Sequence, residues 1–265
     1  VLSAYIQAVG MLGPGLIDWP AAAEVLRGSA PYRAAPTVLP APSVLPPAER
    51  RRAGRVIRLA LGAGAQAIAA AGVDAGTIPS VFSSSGADGD NCNEICMTLA
   101  SRERLLSPTR FHNSVHNAAA GYWSIAYGCA EASTALCAYD GSFGAGLIEA
   151  LAQLACGSEA VLLVAYDVDY PPPMRRQRPI PDAFAIALLL SRDASLAARG
   201  ALSRLRLSLV EEPPSRVTQP ELERLRSEIP AARGLPLLER LAQQRSGCVV
   251  LDYLDEQRLR LELDP

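Results

Sequence analysis

The residues best placed to do chemistry in this chain gather at one strand–turn–helix. Ala132 to Tyr139 reads as a small-residue strand, Asp140-Gly141-Ser142 as a turn, and Phe143 to Gly157 as an apolar helix. A side chain at such a turn lies against unpaired backbone N–H groups and the positive end of the helix dipole. Both lower the pKa of a thiol or stabilise an anion. The place suits a nucleophile, and here it holds Asp140. A carboxylate is a poor nucleophile in such a place, so covalent catalysis is not expected, whereas a helix N-cap is a role that Asp favours. The chain has two histidines, His112 and His116, both upstream of the turn. Asp140 with His116 would serve a stand-alone decarboxylase or hydrolase only with an imidazole in hydrogen-bond reach and an oxyanion site.

Other candidates are weaker. Gly141-Ser142-Phe143-Gly144-Ala145-Gly146 follows a strand and opens a helix, as in a nucleotide-binding module. Its order is G-x-x-G-x-G rather than G-x-G-x-x-G, and Asp140 would repel a phosphate. Close helix–sheet packing asks for the same small residues. All 25 basic residues are arginine, which excludes a Walker-type phosphate loop and a Schiff-base lysine. Arg50-Arg51-Arg52 reads as a solvated helix end, with a docking patch for an acidic carrier protein as the sharper alternative. Of six cysteines, Cys92 and Cys96 sit one helical turn apart, but no second pair or nearby histidine completes a metal site. Buried free thiols in a reducing cytoplasm are the expectation.

The elements that must position these groups alternate. Strands are expected at Tyr5–Met11, Pro79–Ser84, Ala160–Tyr166, Phe184–Leu190 and Leu202–Val210, with a late hairpin at Cys248–Tyr253 and Arg258–Leu263. Helices are expected from Ile17 to Leu26, Ala48 to Ala71, Asn91 to Ser101 and Ala118 to Tyr127, then near Gln219–Ile229 and Leu235–Gln244. The third would gather Cys92, Ile95, Cys96 and Leu99 on one face. Residues 31–47 carry six prolines and should run extended. This order predicts an α/β protein with three α/β/α layers. With 49% hydrophobic residues and a net charge of −2, the chain can bury a large core and carries no footprint for nucleic acid. No apolar run reaches the roughly 20 residues of a membrane span, and the opening Val1 to Ile6 lacks a signal peptide's basic flank, so a cytoplasmic location is expected.

Several stretches together resemble the N-terminal half of the β-ketoacyl synthases of the thiolase superfamily. The run from Ser107-Pro108-Thr109 through Asn117 to Ser124-Ile125-Ala126-Tyr127-Gly128 looks like their "P…N…G…SI.YG" segment. Ala150 to Ala165 looks like the helix and strand after their nucleophile. The resemblance covers roughly residues 1–210. In that family the active cysteine starts this helix, seventeen residues before its closing glycine, and counting back from Gly157 lands on Asp140. The family's two C-terminal catalytic histidines have no counterpart in residues 211–265.

The resemblance is greatest to short chain length factors of the aryl polyene type. It implies a thiolase-like, truncated fold, with residues 1–210 as a ketosynthase N-terminal-like domain and 211–265 as a short α/β extension packed on it. By the same resemblance the chain would be non-catalytic, would need no cofactor or metal, and would pair with a full-length β-ketoacyl synthase. An acyl carrier protein is a further partner it admits. Ser133, Thr134, Ala135, Leu136, Cys137 and Tyr139 would continue the sheet into the partner. Asn91, Ile95, Phe111, His112 and His116 would lie near the acyl tunnel, with Tyr122 and Trp123 as wall candidates or plain core. Both histidines are expected to be hydrogen-bonded core or interface groups.

Overall fold

Runs of apolar residues too short for helices become the interior strands of one mixed eight-stranded sheet in the computed structural model, which describes residues 2–197 and 200–265. In chain order the first half comprises β1 (Leu2–Leu12), α1 (Trp19–Arg27), α2 (Pro47–Arg52), α3 (Arg55–Ala71), β2 (Ser80–Ser83), α4 (Gly89–Ala100), α5 (Pro108–His112) and α6 (Ala118–Tyr127). There follow β3 (Ser133–Leu136), α7 (Ser142–Ala155), β4 (Ala160–Asp167), α8 (Met174–Gln177) and β5 (Phe184–Ser191). The chain ends with β6 (Ser203–Val210), α9 (Pro220–Glu228), α10 (Leu235–Ala242), β7 (Gly247–Leu251) and β8 (Arg258–Asp264). The sheet order is β3-β2-β4-β5-β1-β6-β8-β7. Only β2 with β3 and β2 with β4 run parallel. Helices α1, α7, α9 and α10 cover one face, α3 and α6 the other, which makes the three layers the alternation implied.

Every residue of β4 and β5 is buried, as expected of strands covered on both faces. In β1 the register slips between Ile6 and Ala8. The bulge moves the residues facing α7 from even positions (Ala4, Ile6) to odd ones (Val9, Met11). Gln7 stays buried at the slip, its amide donating to Ser191 Oγ at 2.7 Å and to the Asp193 carbonyl at 2.6 Å. Further along, Gly10 lets α3 lie directly on the strand, since a Cβ there would come within 2.0 Å of the Ala63 carbonyl oxygen.

Three expectations need correction. The helix read from Ala48 to Ala71 is two helices, α2 and α3. Ala53 and Gly54 are extended between them, and the side-chain amide of Asn113 binds the Arg52 carbonyl freed by the break. The strand read from Ala132 to Tyr139 stops at Leu136, because a 3-10 turn takes Tyr139–Gly141. The thiols are not buried: only Cys129 is, while Cys92, Cys96, Cys137, Cys156 and Cys248 are exposed.

One buried acid joins the pieces that frame the β3–α7 turn. Asp167, at the end of β4, accepts from Ser85 N–H at 2.8 Å, Ser85 Oγ at 2.6 Å and Ala231 N–H at 2.8 Å. It thereby ties the β2–α4 loop and the turn Pro230–Gly234 to the sheet. Burial raises its pKa to about 6, although the hydrogen bonds from Ser85 and Ala231 pull the other way. With the folded-state pKa raised, this group's contribution to stability is full below its unfolded value of 3.8 and is lost as pH rises through about 6. That loss is on the order of 2–3 kcal/mol. Urea unfolding should show stability falling between about pH 4 and pH 6 and levelling off above that, with the slope flattened in Asp167→Asn. An unchanged slope in that variant would refute the assignment.

Candidate functional site

The β3–α7 turn is shaped by a hydroxyl and by ion pairs. Ser142 Oγ accepts from Ala138 N–H at 3.0 Å and donates to the Tyr139 carbonyl at 2.7 Å, closing the turn just before α7. The N-cap position belongs to Gly141, which makes no side-chain bond, so the capping role expected of Asp140 is not observed. Its carboxylate instead accepts from Arg178 at 2.5 Å through Oδ1 and from Arg233 at 3.3 Å through Oδ2. Both arginine side chains are largely buried, and the carboxylate is partly exposed. Burial opposes charge on the Arg178 guanidinium, but hydrogen bonding to Asp140 and its charge outweigh that and raise its pKa. The Arg178 guanidinium also lies 3.8 Å from the centroid of the Tyr139 ring. The anionic oxygens of Asp140 are thus engaged by cations on two sides.

Neither histidine is among the hydrogen-bond partners of Asp140 among the described residues. His112 is exposed at the end of α5, beside the edge of the Tyr122 ring at 6.3 Å. His116 is half-buried, and its Nε2 is enclosed without a hydrogen-bond partner. The core half of the expectation for the histidines is therefore corrected, since α5 and the turn after it run along the surface, where an interface role stays a proposal. Tyr122 and Trp123 are plain core, each 1% exposed, with Trp123 against Tyr127 and Phe82.

The glycine run after Asp140 serves packing. A Cβ at Gly141 would meet the Tyr253 carbonyl oxygen at 2.5 Å, one at Gly144 would meet Leu259 and Tyr253, and one at Gly146 would meet Leu163 and Ser83. The β7–β8 loop and β2 press on this helix where a phosphate would have to approach. Sequence reasoning gave no sign of Arg178, Arg233 or Tyr253 here, because they lie 38 or more residues from Asp140 and no local spacing marks them.

β3 forms one edge of the sheet. Ser80 N–H donates to the Ala132 carbonyl and Ser84 N–H to that of Leu136. Ala132, Thr134 and Leu136 therefore turn their backbone groups toward β2, while Ser133 and Ala135 turn theirs outward. Ser133 Oγ lies 3.0 Å from Ser80 Oγ, Thr134 Oγ1 donates to Glu149 at 3.3 Å, and the Cys137 thiol donates to the Ser85 carbonyl at 3.2 Å. The opposite edge, β7, is covered. Ser215 donates its N–H to the Val250 carbonyl and accepts from Val250 N–H through Oγ.

The remaining residues expected near a tunnel lie on α4, α5 and the segment between α5 and α6. Asn91 is buried, its amide donating to the Arg110 carbonyl at 2.8 Å and fixing α5 to α4. Ile95 is half-buried on α4, most of whose side chains are exposed. Met97, Leu99, Leu105, Phe111, Val115 and Ile125 all stand open to solvent, Phe111 at 66%. Arg51, Arg52, Arg55 and Arg110 line a cleft of about 380 Å³ with Asp88 and Asp90. Arg55 is internally paired to Asp169 at 2.6 Å and Asp90 at 3.2 Å. No helix among the described residues is long and apolar enough to cross a membrane.

No curated protein matches the sequence. Solved structures do. One is a ketosynthase (ApeO) in complex with its chain length factor (ApeC) from Xenorhabdus doucetiae, at 21% identity and a TM-score of 0.75, covering 99% of this chain and 100% of that one. Another is AntDE:AntF, a type II polyketide synthase acyl carrier protein in complex with its ketosynthase, at 12% identity and a TM-score of 0.75, with 99% of each chain covered. A β-ketoacyl synthase from Burkholderia phymatum STM815 aligns over 87% of this chain and 71% of its own, at 15% identity and a TM-score of 0.64. These likenesses establish the thiolase-like fold of a ketosynthase N-terminal half. The profile for the β-ketoacyl synthase N-terminal domain spans residues 19–250, and with that span the chain belongs to this family.

Proposed function

We propose that this chain is a non-catalytic chain-length-factor subunit that heterodimerises with an active β-ketoacyl-ACP synthase in polyketide or fatty-acid-type chain elongation of the aryl polyene kind. One observation carries the reading: the sheet edge left open, β3, runs into a turn headed by a carboxylate held between two arginines. The pairing half of the proposal draws on the outward backbone groups of Ser133 and Ala135 and on the exposed apolar residues from Met97 to Ile125. The silent half draws on chemistry. A carboxylate is a weak acceptor for a thioester acyl group, and the oxygens of this one are already engaged by two guanidiniums. The hydrolase alternative asked for an imidazole on Asp140, and Asp140 binds arginines instead. Residues 1–210 are read as the ketosynthase-like domain and 211–265 as an extension packed on it. Contact with an acyl carrier protein, through the arginine-lined cleft at Arg51, is the lesser part of the proposal.

Co-expression with a full-length synthase from the same gene neighbourhood tests the reading by size-exclusion chromatography with mass determination. The expected result is a one-to-one complex whose condensing activity requires this chain and survives Asp140→Asn. Thioester turnover by the chain alone, abolished in that variant, would overturn it. Ala135→Pro removes an outward N–H without touching the β2 ladder and should weaken the complex about tenfold or more. Without its partner the chain should self-associate through the same edge, and a monodisperse monomer in light scattering would count against pairing. Asp140→Ala strands two guanidiniums and should cost about 1–2 kcal/mol in urea unfolding after solvent screening.

A further inference from the structure

The turn that carries Asp140 also holds a strained residue. Tyr139 has φ +50°, in the left-handed region that favours glycine, yet its side chain is a large aromatic left 63% exposed. Burial within this chain gives no reason for a bulky ring there. The surroundings nevertheless fix it. The Arg178 guanidinium lies against the ring at 3.8 Å and is itself anchored to Asp140 at 2.5 Å. The Ser142 hydroxyl grips the backbone on both sides of the residue, at Ala138 N–H and at the Tyr139 carbonyl. Tyr139 lines two clefts, one of about 830 Å³ toward the β7–β8 loop and one of about 290 Å³ toward Arg178 and Pro230. It stands three residues beyond Leu136, the end of the open edge strand.

An exposed aromatic ring whose backbone and packing are set before contact loses little conformational freedom on docking, and such residues dominate binding energies at interfaces. The geometry points to Tyr139 as the anchor of the subunit interface: its ring enters a pocket of the synthase seated on β3, and the partner's surface fills the clefts on either side. This rests on the pairing proposed above. It explains why the turn keeps a residue it strains. Glycine would relax the backbone and remove the ring.

The test compares wild type, Tyr139→Gly and Tyr139→Phe for affinity to the full-length synthase by titration calorimetry, and for thermal unfolding alone by circular dichroism. Tyr139→Gly should weaken the complex about tenfold or more while shifting the melting temperature of the isolated chain by less than about 4 °C. Tyr139→Phe should bind within about threefold of wild type. A Tyr139→Gly chain that binds as tightly as wild type overturns the anchor and leaves the pairing intact. Equal losses in the glycine and phenylalanine variants overturn the role of the ring. A collapse of the glycine variant's melting temperature makes Tyr139 a folding residue and overturns it too. A wild-type chain that forms no complex removes the pairing and the anchor with it.

Discussion

A sheet that does not close on itself has two edges, each with a row of backbone N–H and C=O groups that need partners. With β4 and β5 wholly buried at its centre, this sheet cannot shed strands, so the treatment of its edges decides how the molecule meets its surroundings. At β7 the problem is solved within the chain: Ser215 pairs with both backbone groups of Val250, and Pro213 and Pro214 beside it offer no donor. At β3 the protection is shortness alone, the strand being four residues long. The strand has no proline, no bulge and no charged residue, only Ser133, Thr134, Ala135 and Leu136. The α6 helix beside it, and the segments leading into that helix, add exposed apolar side chains such as Phe111, Val115 and Ile125. An edge shaped this way is what the proposed pairing with a synthase uses.

The same constraint bears on the chemistry of the turn. The end of β3 delivers its next residues to the start of α7, where unpaired N–H groups favour negative charge. A thiol there would be activated. For a carboxylate there, what it does depends on its neighbours. Arg178 and Arg233 come from distant segments to neutralise it, converting a position suited to a nucleophile into an electrostatic tie between α7, the loop around α8 and the turn before α10. The tie is partly exposed, so its direct contribution to stability is modest. What it supplies is geometry, since it holds Arg178 against Tyr139.

How much of this was legible in the sequence depends on which forces act locally. The fully apolar strands β4 and β5, and the place of Asp140 at the head of a helix, are set by composition over a few residues and were readable. The bulge in β1 was not, because an apolar run buried on both faces shows no period to break. Gly54 sits within an Ala-rich pattern that reads as continuous helix, and the break depends on Asn113, 61 residues away from the Arg52 carbonyl it binds. The exposure of five cysteines was misjudged for a related reason: apolar neighbours in sequence suggested burial, whereas α4 carries its apolar residues outward. The N-cap reading of Asp140 failed because the two arginines lie far off in sequence, and ion pairing to two guanidiniums outweighs one bond to a backbone N–H.

The turn, the edge strand and the C-terminal residues share one closed circuit of polar contacts. Cys137 donates to the Ser85 carbonyl, and Ser85 donates through both N–H and hydroxyl to Asp167. Asp167 accepts from Ala231, two residues before Arg233, and Arg233 returns to Asp140, three residues after Cys137. Every link in this ring crosses between segments distant in sequence, so none forms early from local preference, and each depends on the others being in place. Asp140 closes a path that runs through the buried acid at its other end. Loosening it would release the turn of residues 230–234 and the β2–α4 loop along with the exposed ring of Tyr139. The β3–α7 turn is thereby tied to the sheet and to the residues around Arg233, and such rigidity is what an open sheet edge needs if it is to meet a partner in one register.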